Sequence, residues 1–206
     1  MYARSITITG DPAALEEGIA YVRDEVMPTV TAMDDCIGPS TLVDRESGEC
    51  IVTSSWKSSE AMMASDLHLA PLRRRGGEIM GAAPQVEVWE VAVMHRDHPA
   101  PEGSCCRVVW MRLSSGDMDG GIELYRSALL PEMETLEGFC SASLLVNRET
   151  GRACSTTTYD SREAMEVSRD RAWAIREAGV RDAGVDVVDV VECDLVLAHL
   201  RLPELV

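Results

Sequence analysis

One segment of the chain occurs twice, and this duplication restricts the possible folds more than any other feature of the sequence. Residues 42–65 read LVDRESGECIVTSSWKSSEAMMAS and residues 145–168 read LVNRETGRACSTTTYDSREAMEVS, so the two copies align without a gap. The offset between them is 103 residues, which is half of the 206-residue chain. Because self-similarity at a fixed period marks repeated structural units, the sequence predicts two domains, residues 1–103 and residues 104–206.

The same offset relates residues outside this segment. It pairs like with like at Arg23 and Arg126, at Pro28 and Pro131, at Arg73 and Arg176, and at Gly76 and Gly179. Two copies are fewer than the roughly three that a solenoid needs, whereas about 100 residues is an ordinary size for one domain. We therefore expect a duplicated domain.

Each half is predicted to contain strand, helix, strand, strand, helix and strand in that order. Period-two alternation with β-branched residues indicates the strands, and apolar steps of three and four indicate the helices. In the first half the predicted elements are strand Arg4–Thr9, a helix from Pro12 to about Met33, strands Cys36–Asp44 and Glu49–Trp56, a helix from Ser58 to Gly76-Gly77, and strand Gln85–Met94. In the second half they are strand Arg107–Leu113, a helix from Ser115 or Asp117 to near Leu136, strands Ser141–Asn147 and Arg152–Tyr159, helix Ser161–Ala178, and a strand within Asp186–Leu200.

Local residue types refine these elements. Pro28 and Pro131 fall inside the first helix of each half, and an interior proline removes a backbone hydrogen bond, so a kink or break is expected there. The basic run Arg73–Arg75 precedes a glycine pair and is predicted to be the exposed end of a helix, where positive charge suits the helix dipole. His95 and His98 flank a proline-containing linker, where we expect them to face solvent.

The predicted order βαββαβ is that of the ferredoxin-like unit, whose antiparallel sheet carries both helices on one face. The opposite apolar face must be covered, and the second copy on the same chain is the available partner. The sequence therefore predicts an α+β fold in which two ferredoxin-like repeats pack sheet to sheet as a single-chain barrel. We expect a monomer that acts as a pseudo-dimer, and an exposed sheet edge leaves further self-association open.

Composition argues against several function classes. The net charge is −16, so a surface for nucleic acid is not expected. No apolar run approaches the ~20 residues of a membrane helix, and the N-terminus MYARSITITG lacks a signal-peptide core, so we expect a cytoplasmic chain without membrane contact. The seven cysteines form no C-x-x-C motif, which favours buried reduced thiols and gives no indication of a metal site.

Two motifs resemble the antibiotic biosynthesis monooxygenase (ABM) superfamily of dimeric α+β barrel proteins. One is the hairpin followed by WKSSEAM at residues 56–62, and the other is TLEGF at residues 135–139, at the end of a predicted helix. The turns D-R-E-S-G and N-R-E-T-G are most similar to those of an uncharacterised actinobacterial branch. The resemblance covers each half once, and it implies either a cofactor-free quinol-type monooxygenase or a haem-degrading monooxygenase.

The haem-degrading members use an asparagine on the first strand, and a tryptophan and a histidine in the second helix. At the two helix positions this chain has Ser65 and Arg75 in the first copy, and Ser168 and Ala178 in the second. Neither predicted first strand contains an asparagine. Because a haem iron needs an axial ligand, the resemblance favours a protein without a bound cofactor over a haem-degrading enzyme.

Candidate site residues follow from position, because no catalytic motif such as G-x-S-x-G or H-E-x-x-H is present. His68 lies where the resemblance places a pocket and is a candidate base, with a surface histidine as the alternative. Aromatic residues form only 4% of the chain, and they are explained either by a pocket for a flat organic ligand or by core packing. The candidate catalytic residues are His68, Tyr125 and Tyr159, and the candidate pocket-lining residues are Trp56, Ser65, Trp110, Ser168 and Trp173.

Two functions remain open at this point. The first is a cofactor-independent monooxygenase of an aromatic or quinol-type small molecule, in which a base or a hydrogen-bond donor stabilises a substrate carbanion. The second is a non-catalytic binding or accessory protein of the same fold, whose partner is a small apolar or aromatic metabolite. Fold resemblance does not decide between them, since one fold supports many functions.

Overall fold

The fold is α+β, and a computed structural model describes it for residues 1–113, 116–199 and 205. The strands of these residues are β1 Tyr2–Thr9, β2 Cys36–Asp44, β3 Glu49–Trp56, β4 Gln85–Arg96, β5 Cys105–Leu113, β6 Phe139–Asn147, β7 Arg152–Tyr159 and β8 Val185–Ala198. They are hydrogen-bonded as a closed antiparallel barrel in the order β1-β3-β2-β8-β5-β7-β6-β4. Ser115 and Leu200, expected at the start of a helix and at the end of a strand, lie outside the described residues.

Helices alternate with the strands as predicted, but each predicted helix is divided into two. They are α1 Leu15–Tyr21, α2 Met27–Thr31, α3 Ser59–Ala64, α4 Asp66–Met80, α5 Met118–Leu124, α6 Leu130–Met133, α7 Arg162–Val167 and α8 Arg169–Ala183. Turns of π-helix, Val22–Val26 and Tyr125–Leu129, separate α1 from α2 and α5 from α6. Pro28 and Pro131 lie at the start of α2 and α6. The interruption expected from these prolines, which cannot donate a helical hydrogen bond, is therefore a π-helical turn.

The second helix of each half ends later than predicted. Gly76-Gly77 and Ala178 lie inside α4 and α8, which end instead at Met80 and Ala183. The residues that follow, Gly81 and Gly184, have φ angles of 73° and 63°. These left-handed residues are the preferred helix C-caps. Glycine is needed inside α4 as well, because a Cβ on Gly77 would lie 2.7 Å from the Ala82 carbonyl oxygen. None of the helices in the described part of the chain is both long and apolar enough to cross a membrane.

The described residues divide into two compact units according to their contacts. The first unit contains residues 1–89 and 195–199, and the second contains residues 90–194 and 205. In the first unit β3 pairs with β1 and β2, and apolar side chains of these strands and of α4 form the core. In the second unit the pairs are β4 with β6, β6 with β7, β7 with β5, and β5 with β8. The core of the second unit packs these strands against α5 and α8.

Two sequence predictions about position and exposure are wrong in part. Arg73–Arg75 lie in the middle of α4 and not at its end. Arg74 and Arg75 are exposed as expected, whereas the Arg73 side chain is only 15% exposed because its Nη2 pairs with Asp66 Oδ1 at 2.6 Å. His95 lies in β4 rather than in a linker, and its side chain is 18% exposed with Nε2 2.9 Å from Glu134 Oε1. In both cases a charged partner draws the side chain onto the protein. His98 is half-exposed.

Candidate functional site

The second unit contains a cavity of about 270 Å³, lined by its strands and by α5 and α8. Alternation along β5 places Arg107, Val109 and Met111 on one face of the strand, and all three line the cavity. Most other lining residues are apolar, including Ile122, Leu144, Val146 and Ile175. The cavity is therefore an apolar space with a few polar groups in its wall.

A charged cluster around Arg107 forms the polar part of this wall. Arg107 is 7% exposed, and its Nε and Nη2 donate to Glu192 Oε1 at 3.1 and 2.8 Å. Its Nη1 donates to the Tyr159 hydroxyl at 3.2 Å, and Nη2 also donates to the Met165 carbonyl at 3.2 Å. The register of β5 and β8 produces the ion pair, because Arg107 lies directly opposite Glu192. Arg169 Nη2 donates to the other carboxylate oxygen of Glu192 at 2.9 Å.

Two tyrosines add neutral hydroxyl groups to the wall. The Tyr125 hydroxyl lies 3.0 Å from Ser155 Oγ and 3.3 Å from the Ser143 carbonyl oxygen, to which it donates. The guanidinium carbon of Arg107 lies 5.6 Å from the centroid of the Tyr159 ring. Burial raises the pKa of both tyrosines above the usual value. Both side chains therefore act as neutral hydrogen-bonding groups at neutral pH and not as bases.

Trp173 and Arg176 contribute an aromatic surface and an unsatisfied donor. Trp173 is 58% exposed while also lining the cavity, and the guanidinium carbon of Arg176 lies 4.0 Å from the centroid of its ring. The Arg176 Nε atom is buried and has no hydrogen-bond partner within the described part of the chain. Burial lowers the pKa of the Arg176 guanidinium. A buried donor without a partner costs about 1–3 kcal/mol, so this N–H favours an incoming acceptor.

The structure brings three of the predicted residues to this cavity, namely Tyr125, Tyr159 and Trp173. Trp110 is buried on the other face of β5, where the Arg152 guanidinium lies 6.0 Å from its ring centroid. Ser168 lies between α7 and α8, and its Oγ donates to the Glu137 carbonyl at 3.2 Å. Neither Trp110 nor Ser168 belongs to the cavity wall.

The predicted residues of the first copy do not form a comparable site. His68 is exposed on α4 and does not line the first unit's cavity, which measures about 50 Å³. Trp56 is 1% exposed, and its Nε1 donates to Ser54 Oγ at 3.1 Å. Ser65, between α3 and α4, accepts a hydrogen bond from Arg4 Nη1 at 3.0 Å. His68 is therefore a surface histidine, and Trp56 and Ser65 belong to the packed interior of the first unit.

Sequence reasoning missed the charged residues of the site. These are Arg107, Arg169, Arg176 and Glu192. One signal was available, because Arg107 and Arg176 both have an arginine 103 positions earlier, at Arg4 and Arg73. The pairing of Arg107 with Glu192, 85 residues away, had no signal in the sequence.

Two solved structures with a similar fold indicate the fold class of this chain. An anthrone oxidase-like protein has a TM-score of 0.69 and 14% sequence identity, over 97% of this chain and 93% of its own. An uncharacterised ferredoxin-fold protein related to antibiotic biosynthesis monooxygenases, from Listeria monocytogenes 4b F2365, has a TM-score of 0.56 and 10% identity, over 95% of this chain and 94% of its own. The chain therefore has the ABM-like fold, as the resemblance implied.

Two sequence relatives define the particular family. Uncharacterized protein Rv2557 of Mycobacterium tuberculosis (strain ATCC 25618 / H37Rv) is 52% identical over 206 residues, which is 100% of this chain and 92% of the relative. Uncharacterized protein Rv2558 of the same strain is 48% identical over 207 residues, covering 100% of this chain and 88% of the relative. The chain belongs to the family of these two mycobacterial proteins. No protein-family model matches it.

Proposed function

We propose that the chain binds a small aromatic or quinol-type molecule, with an apolar body and one acidic oxygen, in the cavity of the second unit. One observation carries this proposal: an apolar cavity has a buried guanidinium, Arg107, beside the Tyr159 hydroxyl in its wall. Sites for small molecules combine apolar walls with a few placed polar groups in this way.

The charges in the wall favour an anionic or hydrogen-bond-accepting ligand atom. Glu192 neutralises Arg107, whereas Arg176 offers a buried Nε–H that has no partner among the described residues. A phenolate or carboxylate oxygen would satisfy this donor, and charge-assisted hydrogen bonds are about twice as strong as neutral ones. Apolar wall residues such as Val109 and Ile122 would contact the rings of the same ligand.

A binding screen with a filled-cavity variant tests this function. Hydroxylated naphthalenes and anthracenes should raise the unfolding temperature and bind one per chain in calorimetry, and more tightly than their non-hydroxylated parents. The variant Ala172→Leu with Ala183→Met introduces the first copy's residues, Leu69 and Met80, and should abolish binding. Met80→Leu, a volume-conserving change at one of the equivalent positions in the first unit, is the control and should leave affinity unchanged. Undiminished binding by the filled variant would rule out this cavity as the site.

One arrangement favours a second function, which is cofactor-independent monooxygenation of the bound molecule. Guanidinium and hydroxyl groups in an apolar cavity stabilise a developing carbanion or enolate, which is the species that reacts with dioxygen. A substrate methylene would become a carbonyl, with one oxygen atom in the product and the other leaving as water with the two hydrogens. Glu192, the carboxylate in the wall, is engaged by Arg107 and Arg169, so proton abstraction is less well supported than binding.

An oxygen electrode separates the two functions. Oxygenation predicts one dioxygen consumed per product, with loss of the rate in Arg107→Met. Binding without oxygen uptake indicates the accessory-protein alternative. A haem-degrading activity has no support in the cavity, since none of the four histidines, all within the described residues, lines it.

We propose in addition that residues 1–103 and 104–206 act as the two halves of a single-chain pseudo-dimer. The support is that four strands of the barrel come from each sequence repeat. A chain that supplies both halves needs no second copy, so light scattering after size exclusion should give 22.5 kDa. Twice this mass would contradict the proposal.

A further inference from the structure

Three metal-ligating side chains from separate stretches of the second unit meet away from the cavity. His98 Nε2 lies 2.8 Å from Asp160 Oδ1, and Cys140 Sγ lies 3.1 Å from the same oxygen. The nitrogen, sulfur and carboxylate atoms all lie within 4.8 Å of one another. No ligand spacing in the sequence signals this group, because its members are 20 and more residues apart.

The backbone holds these three side chains together. The strand register of β6 and β7 shifts between Phe139 and Ser141, which places Cys140 at a β-bulge. Bulges redirect single side chains and are common beside functional sites. The Cys140 carbonyl accepts from the backbone N–H of Asp97 at 2.9 Å and of His98 at 3.3 Å. The segment after β4 is therefore fixed against the start of β6 independently of the side chains.

The orientation of His98 matches that of a metal ligand. Its Nδ1 lies 2.7 Å from Asp97 Oδ2, on the opposite side of the ring from Asp160. Histidines that bind metals with one nitrogen almost always donate the other N–H to a carboxylate or carbonyl, which fixes the ring. Cys140 is fully buried, whereas His98 and Asp160 are each about two-fifths exposed, so the group is open to solvent on one side.

We propose that His98, Cys140 and Asp160 bind a divalent transition-metal ion, with Zn²⁺ as the best fit. One nitrogen, one thiolate and one carboxylate are a ligand set that zinc accepts, and a water molecule completes the tetrahedral coordination. The ion replaces two protons, the thiol proton of Cys140 and the Nε2 proton that His98 donates to Asp160, and both are released to solvent. The His98 Nε2 lone pair then coordinates as the Asp160 oxygen turns to the ion. The site is independent of the cavity and of the function proposed for it.

The first copy supplies a contrast at the equivalent positions. Ile37 and Lys57 stand where the second copy has Cys140 and Asp160. The Lys57 ammonium lies 3.4 Å from Asp35 Oδ1. The first copy therefore has a side-chain cation where the second has the Asp160 carboxylate, and the proposed ion binds at the second copy alone.

Cobalt substitution of the full chain tests the proposal, because Co²⁺ bound to a thiolate gives a near-ultraviolet charge-transfer band. Chelator-treated protein should take up one Co²⁺ with this band, and one Zn²⁺ in calorimetry with a rise in unfolding temperature. Cys140→Ser should lose the band, whereas Cys36→Ser, a half-buried cysteine in the first unit, should keep it. Asp160→Asn should weaken zinc binding by about 100-fold, and Asp97→Asn by about 10-fold.

Two results would overturn the proposal. One is a wild-type protein that shows neither heat nor a band with these ions, and the other is a band that persists in Cys140→Ser. Circular dichroism of each metal-free variant establishes folding, and if Cys140→Ser does not fold, Asp160→Asn decides the question through the loss of zinc affinity.

Discussion

The two units form cavities from equivalent positions, yet one is nearly filled and the other is hollow. The cavities measure about 50 Å³ in the first unit and about 270 Å³ in the second. Where the second has Ala183, the first has Met80, which is 2% exposed. A Cβ on Gly18 would lie 3.1 Å from Met80 Cγ, whereas at the equivalent Gly121 the nearest atom is Leu113 Cδ2 at 3.9 Å. Side-chain volume at a few positions therefore decides whether a unit of this fold can hold a ligand.

The charges of the two units also differ around an arginine that both possess. In the first unit Arg4 Nη1 lies 3.5 Å from Asp66 on α4, and in the second Arg107 pairs with Glu192 on β8. The partner carboxylate of the first unit lies on a helix, where the Asp66 side chain is 48% exposed. The partner carboxylate of the second unit lies on a strand, where the Glu192 side chain is 26% exposed. The same guanidinium serves packing in one unit and lines a cavity in the other.

The second repeated arginine, Arg73 in the first copy and Arg176 in the second, also has different surroundings in the two units. Arg73 is paired with Asp66 at 2.6 Å, but at the position of Asp66 the second copy has Arg169. Arg176, the counterpart of Arg73, therefore has no carboxylate at that position, and its Nε has no hydrogen-bond partner among the described residues. The same arginine is therefore paired with an aspartate in the first copy and offers an Nε–H beside the cavity in the second.

The largest expected effect on stability comes from removing the carboxylate of an ion pair, and it should differ between Glu192 and Asp66. Glu192→Ala leaves the buried Arg107 without its carboxylate and should lower the free energy of unfolding by about 3–5 kcal/mol. Asp66→Ala removes a solvent-screened, 48% exposed carboxylate from two largely buried arginines, Arg4 and Arg73, and should cost less, about 1–3 kcal/mol. Urea denaturation of the two variants measures both values. Equal losses in the free energy of unfolding would contradict this prediction, because removing either carboxylate would then cost the same.

Packing density gives the next largest difference. Met80→Ala opens a cavity in the filled unit and should cost about 2–5 kcal/mol. The reciprocal Ala183→Met adds a side chain beside an existing cavity and should change stability by less than about 1.5 kcal/mol, in either direction. Denaturation curves of the two single variants provide the measurement. A large loss from Ala183→Met would mean that the second cavity does not have room for this side chain.

A smaller effect is expected at the tyrosine that replaces a valine. Tyr125 stands where the first copy has Val22, and Tyr125→Phe removes its hydrogen bonds to Ser155 and Ser143. The net loss should be about 1 kcal/mol, with weaker binding of any ligand whose hydroxyl donates to the Tyr125 oxygen. Val22→Ile, a conservative change at the equivalent position, is the control and should leave ligand binding unaffected. Unchanged stability in Tyr125→Phe would argue against these hydrogen bonds.

The smallest expected effect on stability appears at alkaline pH and again involves Tyr125. Burial raises the pKa of Tyr125 in the folded chain above its unfolded value. Its contribution to stability is therefore full below about pH 10, the unfolded value, and is lost as the pH rises toward the folded value. Wild-type stability should fall faster above pH 10 than that of Tyr125→Phe, as followed by urea midpoints. Parallel curves would show that Tyr125 ionises as freely in the folded chain as in the unfolded one.

Local rules predicted the hairpins correctly. The bounds of β2 and β3, Cys36–Asp44 and Glu49–Trp56, match the prediction residue for residue. Alternation sets such strands, and Gly48 supplies the positive φ of 74° that the turn requires. The helix ends were less predictable, because Gly77 inside α4 is needed for the close approach of Ala82, in the turn that directly follows the helix, and does not end the helix.

The sequence by itself determined the duplication and the βαββαβ order of each copy, and it offered five aromatic candidates, of which Tyr125, Tyr159 and Trp173 line the cavity. These follow from periodicity, turn chemistry and composition, which act over a few residues. Tertiary structure decided which copy is hollow, which carboxylate each repeated arginine receives, and that His98, Cys140 and Asp160 meet. Such contacts join residues tens of positions apart through strand register and side-chain volume, and neither quantity leaves a pattern along the chain.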